Sequence, residues 1–118
     1  MESLEDLRRD VTAFVEEREW QRFHSPKNLA MALTVEAGEL QEHFQWLTTE
    51  DSEALDTETL AAVADEIADV QVYLVRLADR LGIDLLAACE QKMAKNRAKY
   101  PPKLARGRAD KYTRYESE

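Results

Sequence analysis

The chain has 118 residues, 44% hydrophobic and 34% charged, with 16 Lys and Arg against 24 Asp and Glu and a formal net charge of −8. That length suits one domain with a modest core, and the net charge excludes a duplex-DNA binder, because phosphates would be repelled. Cys89 is the only cysteine, which excludes an internal disulfide framework or thiolate metal cluster and fits a reducing, cytoplasmic setting. No apolar run approaches the ~20 residues that span a bilayer. The start, Met1-Glu2-Ser3-Leu4-Glu5-Asp6, lacks the basic end and apolar stretch of a signal peptide. The average conceals a polarity. Residues 1–90 carry 7 basic and 21 acidic groups, a balance of −14, whereas residues 91–114 carry 9 basic groups and one acidic, a balance of +8.

Apolar spacing reads as helix nearly throughout, and 3 Gly and 3 Pro leave little punctuation for a many-turned β fold. Leu4, Leu7, Val11 and Phe14 predict a first helix over 3–20. Ser25-Pro26 supplies an N-cap and a proline at the first helical position of a second, over 26–47, with Leu29, Leu33, Leu40, Phe44 and Leu47 as its stripe. Residues 48–58 form an acidic link with room for one helical turn. Thr57 is positioned to cap a third helix through Leu81, with Leu60, Val63, Ile67, Val70, Leu74 and Leu77 as its apolar stripe. Gly82 is placed to end it in the left-handed conformation. Asp84 caps a fourth helix over 85–99, which Pro101-Pro102 stops. The remainder, 101–118, is a basic tail with Tyr112 and Tyr115, expected to lie extended over a surface. The expectation is one all-α domain over 1–118, four-helix-bundle-like and oligomeric, since two long amphipathic helices in so short a chain need a second subunit to cover them.

The informative residues are Glu36 and Glu39 on the second helix and Glu66 and Asp69 on the third. Members of each pair are three apart and share a face. At about 100° per residue, Glu39 falls about 60° to one side of Glu36, and the apolar stripe lies on the other side. Asp69 stands in the same relation to Glu66. Antiparallel packing of the two apolar faces would therefore bring both acidic flanks to one side at similar depth. One such pair is ordinarily a solvated helix face, but two pairs matched in flank and depth point to a shared site. Basic partners four residues on are missing: positions 40, 43, 70 and 73 are Leu, His, Val and Tyr.

Four converging carboxylates are costly without a cation, and an all-oxygen shell suits Mg²⁺, with Mn²⁺ as the alternative. A di-iron bundle would need a Glu-x-x-His pair on each of two helices. Here the second member is Glu or Asp, and His43, although on the acidic face, has no symmetric partner. Trp46 and Tyr73 fall on the acidic flank rather than inside the apolar stripes, where an aromatic can stack on a base. Lys92, Asn96 and Lys99 share one face of the fourth helix and set positive charge beside an amide.

Glu36-Ala-Gly-Glu39 followed by Glu66-Ile-Ala-Asp69 resembles the signature of MazG-like nucleoside triphosphate pyrophosphohydrolases. Trp20-Gln-Arg-Phe-His24-Ser-Pro-Lys-Asn28, Glu39-Leu-Gln-Glu-His-Phe-Gln-Trp46, Asp69-Val-Gln-Val-Tyr73 and Lys92-Met-Ala-Lys-Asn96-Arg-Ala-Lys-Tyr100-Pro resemble its dCTP pyrophosphatase branch. The likeness runs from about residue 10 to Thr113. It implies an all-α, usually tetrameric enzyme that cleaves a nucleoside triphosphate to monophosphate and pyrophosphate. It implies Mg²⁺ ligands at Glu36, Glu39, Glu66 and Asp69, acting in catalysis. It implies a substrate pocket from Trp20, His24, Trp46, Tyr73, Arg80, Lys92, Asn96, Arg97 and Tyr100. His43 departs from the pattern, standing where an apolar residue is expected.

The resemblance therefore predicts Mg²⁺-dependent cleavage of dCTP or base-modified relatives in the nucleotide pool. The alternatives are the same chemistry on dUTP or a broad range of triphosphates, and a non-catalytic acidic interaction module. No nucleic-acid polymer and no membrane is expected as partner.

Overall fold

The structure is a computed structural model describing residues 1–109, 111, 113 and 114. Tyr112 and Tyr115 of the expected tail lie outside the described residues. Helix α1 spans Leu4–Glu17, α2 Pro26–Glu42, α3 Thr49–Ser52, α4 Thr57–Arg80, α5 Leu85–Lys99 and α6 Pro102–Ala105, with a 3₁₀ turn at Gln21–Phe23. No strand occurs among the described residues. The chain divides into two compact units, Met1–Ile83 and Asp84–Glu118. In the first, α4 packs along α2 and, over a smaller surface, along α1.

Local chemistry sets most helix ends. Ser3 and Ser25 accept the Asp6 and Asn28 amides at 3.1 Å, capping α1 and α2. Asp84 does the same for α5 through the Ala87 amide at 3.0 Å. At α4 the cap is Asp56, not Thr57: Oδ1 of Asp56 accepts the Thr59 amide at 2.7 Å, one residue earlier than the sequence suggested. The acidic link contains α3, capped by Thr48.

Two helices stop sooner than their apolar pattern does. Helix α2 ends at Glu42, and the chain tightens into bonds spanning three residues, Phe44 to Gln41 at 2.9 Å and Leu47 to Phe44 at 2.9 Å. Helix α1 ends at Glu17 because the Glu19 amide bonds the Glu16 carbonyl and the Trp20 amide bonds the Val15 carbonyl, a Schellman closure with Glu19 at φ 53°. Trp20 is therefore in the following turn rather than in the helix. Helix α4 closes the same way on Asp79 and Ala78, with Gly82 at φ 67° in the left-handed position. A side chain at positive φ costs about 1 kcal/mol, so Glu19→Gly should stabilise the fold by about that much, read as a rise in urea midpoint at unchanged slope. An unchanged midpoint would contradict this account of the α1 terminus.

The core is small. Val15, Leu29, Val63, Val75 and Ala78 are its buried apolar members. The single apolar stripe expected on α4 is two stripes. Val63, Val70 and Leu77 lie on the buried or half-buried side, whereas Leu60, Ile67, Leu74 and Leu81, each seven residues from the next, are exposed. The inward stripe borders the Glu66 flank, and the outward one lies beyond it.

Candidate metal-dependent active site

Packing α4 along α2 brings the acidic pairs together. Glu36 and Glu39 on α2 and Glu66 on α4 each offer an oxygen within 4.8 Å of the other two, and all three side chains are half-buried. Oε2 of Glu36 and Oε2 of Glu66 are buried and have no hydrogen-bond partner among the described residues. Two ionised carboxylates cannot bond one another, because neither has a proton to donate. Burial, followed by the adjoining carboxyls of Glu66, Glu39 and Asp69, pushes Glu36 up to about 7. Asp69 is exposed and stands outside the trio of mutually close oxygens, while its charge still acts on Glu36.

Orphaned buried oxygens in an all-carboxylate cluster are the donor set that a hard divalent cation satisfies. Glu36, Glu39 and Glu66 could hold such an ion, whereas Asp69 lies outside this trio. His43, at the C-cap of α2, is outside the cluster.

A cleft of about 400 Å³, lined by residues including Leu7, Val11, Phe14, Asp69, Val72 and Tyr73, runs between α1 and α4. It shares Val11, Phe14, Val72 and Tyr73 with a smaller cavity of about 90 Å³ that reaches Trp20, His24 and Arg76. Phe14 meets Trp20 edge-on at 5.7 Å between ring centres, and Trp20 lies 6.5 Å from the His24 ring. Four expected site residues, Trp20, His24, Asp69 and Tyr73, thus line two cavities that share a wall. Arg80 is nearby, its Nε donating to the His24 carbonyl at 3.0 Å. Trp46 follows α2 in the turn and is 87% exposed.

The remaining expected residues belong to the second unit. Lys92, Asn96 and Arg97 are on α5, and Tyr100 is its C-cap. Asn96 is half-buried and the other three are exposed.

One further polar residue of this region is not among those the sequence marks. Arg76 on α4 is 6% exposed, with Nε donating to Nδ1 of His24 at 3.2 Å and Nη1 to Oδ2 of Asp79 at 3.4 Å. Its signal was available, since Arg76 and Arg80 follow Asp69 and Tyr73 at i+7 on the same flank of α4.

An all-α unit with an acidic cluster between two helices and an adjoining aromatic cleft has the means to hold a divalent cation beside a planar ligand. The chain belongs to the MazG-like family, whose profile matches residues 31–114. It is similar to rat dCTP pyrophosphatase 1, with 46% identity over 113 residues, 94% of this chain and 66% of the rat protein. It is also similar to human dCTP pyrophosphatase 1, with 45% identity over 113 residues, again 94% of this chain and 66% of the relative. The chain thus spans just under two thirds of the length of these curated relatives. Among solved structures it is similar to a pyrophosphatase from Archaeoglobus fulgidus, with TM-score 0.72, 40% identity, and coverage of 82% of this chain and 91% of that one.

Proposed function

We propose that this chain is a Mg²⁺-dependent nucleoside triphosphate pyrophosphohydrolase that cleaves dCTP or base-modified relatives to the monophosphate and pyrophosphate. The observation that carries the reading is the cluster of Glu36, Glu39 and Glu66 with its two orphaned oxygens. The identity to dCTP pyrophosphatases over 94% of the chain supports the choice of substrate. Removal of such nucleotides from the pool is the role that follows.

The residues divide the work. Glu36, Glu39 and Glu66, with Asp69, hold the metal. Bound there, Mg²⁺ or Mn²⁺ would neutralise phosphate oxygens and make a coordinated water easier to deprotonate. Water attacks the α-phosphorus, the bond to the bridging oxygen of pyrophosphate breaks, and the water's proton passes to a carboxylate oxygen of the cluster. Trp20, His24 and Tyr73 surround the base, and Trp46 offers a stacking face. Arg80 anchors the His24 backbone. Lys92, Asn96, Arg97 and Tyr100, on α5 and at its C-cap, are charged and polar groups of the kind a triphosphate needs.

Trp46→Ala tests the stacking role apart from the fold. An 87% exposed indole contributes little to stability, so the variant should lie within about 0.5 kcal/mol of wild type. Loss of base stacking should raise KM for dCTP roughly 5- to 100-fold. An unchanged KM would remove Trp46 from the pocket. A panel of triphosphates assayed for pyrophosphate release ranks the bases. Preference for dUTP, or equal rates on all, would replace dCTP as the substrate.

The oligomer belongs to the same proposal. Leu60, Ile67 and Leu74 on α4 and Leu81 at its C-cap, with Met31 and Val35 on α2, are all exposed, and a seven-residue apolar repeat suits a facing helix. A homotetramer is expected, with a dimer as the smaller alternative. Light scattering at micromolar concentration that returns the 13.6 kDa monomer mass would contradict both.

A further inference from the structure

Apart from Arg80, the polar network behind His24 takes no part in the chemistry above. We propose that Arg76 is a positioning residue that fixes the His24 ring as the neutral tautomer carrying its proton on Nε2, so that the pocket offers the substrate a fixed N–H donor. The proposal rests on reading Trp20, His24 and Tyr73 as the base pocket.

A guanidinium has only donors. The 3.2 Å contact from Nε of Arg76 to Nδ1 of His24 therefore requires a lone pair on Nδ1. The ring proton is left on Nε2. A doubly protonated ring would set one N–H against another and add a third positive charge beside Arg76 and Arg80. Burial and these two guanidiniums accordingly hold His24 below its ordinary value of 6.5.

Arg76 is itself held in place. Its counter-ion Asp79 accepts from Nη1 of Arg76 at 3.4 Å, Oγ1 of Thr12 at 3.3 Å and Nη1 of Arg8 at 3.4 Å, which ties the group to α1. Nε of Arg80 fixes the backbone of His24 from the next turn of α4. A purely structural arginine would need only to neutralise Asp79, which Arg8 already reaches. Burying a guanidinium with one donor aimed at an imidazole adds tautomer control. A fixed N–H donor selects a base edge that accepts, such as a ring carbonyl or an unprotonated ring nitrogen, over one that donates.

The test uses the full chain with ¹⁵N-labelled histidine. Two-bond ¹H–¹⁵N correlations report the tautomer of His24, and steady-state kinetics on dCTP gives KM and kcat separately. The wild type should show the Nε2–H tautomer. Arg76→Met should free the ring to turn and to mix tautomers, raising KM severalfold and at most about tenfold, the loss of one whole hydrogen bond, with kcat changed by less than about twofold. His24→Asn keeps an acceptor for Arg76 but lacks the distal donor, so it should raise KM alike. Adding Arg76→Met to it should change KM no further. An Nδ1–H tautomer in the wild type, or additive losses in the double variant, would overturn the proposal. If Arg76→Met does not fold, Arg76→Gln, whose amide can accept from Nδ1–H as well as donate, replaces it with the same outcomes. A wild-type chain that releases no pyrophosphate overturns the functional reading instead, and the tautomer spectrum still decides the role of Arg76.

Discussion

Glu39→Gln should lower turnover by roughly 10²- to 10⁴-fold while leaving the helical circular dichroism intact. The substitution keeps the shape of the side chain and removes its charge, so a packing role would be nearly unaffected and a metal-holding role severely so. Stability should move the opposite way. Glu39 offers an oxygen within 4.8 Å of those of Glu36 and Glu66, and removing one of three adjacent anions should stabilise the metal-free fold by about 1 kcal/mol. Lost activity in a more stable protein is the mark of a site that keeps repulsion for function. A variant with wild-type turnover would show that the cluster is not the active centre. A variant that loses both activity and stability would make Glu39 a structural residue.

The metal-free protein should also lose stability as pH rises toward neutrality. Glu36 is pushed up to about 7 from its ordinary 4.5 by burial and by the adjoining carboxyls. The folded chain therefore holds this proton more tightly than the unfolded chain. Stability from this group is fully present below 4.5 and is lost as pH climbs through about 7, where the carboxyl must ionise among its neighbours. His24, held below 6.5, has the opposite slope, because the unfolded chain gains a proton first as pH falls. The Glu36 effect is therefore read as the difference between wild type and Glu36→Gln. With EDTA, the melting temperature of wild type should fall relative to the variant between about pH 5 and 8. Saturating Mg²⁺ should abolish that fall, with proton release on binding. Parallel curves for the two proteins in EDTA would contradict the repulsive cluster.

The sequence discloses those parts of the molecule whose causes are local. Ser25, Gly82 and Asp84 act within a few residues of themselves, and their roles at helix ends follow from side-chain and backbone chemistry alone. The cap at α4 shows the margin: Asp56 and Thr57 both suit the role, and one residue of phase chooses between them. The convergence of Glu36, Glu39 and Glu66 was legible because the same i, i+3 spacing recurs on two helices beside their apolar stripes. The two-sided character of α4 was not. A hydropathy pattern does not say whether Leu60, Ile67, Leu74 and Leu81 face their own chain or another surface, and the small core leaves them outside. Arg76 stayed hidden for a related reason. A charged residue is ordinarily exposed, and its burial depends on His24, 52 positions away, and on Asp79, which pairs with Thr12, 67 positions away.

Two questions decide the function: which bond is cut, and what the carboxylates hold. Incubation of the chain with dCTP and Mg²⁺, followed by separation of the products, addresses both. Equal amounts of dCMP and pyrophosphate, with release abolished by EDTA and restored by added Mg²⁺, are expected. Stepwise release of orthophosphate, or turnover undiminished by EDTA, would contradict the proposed function at its centre.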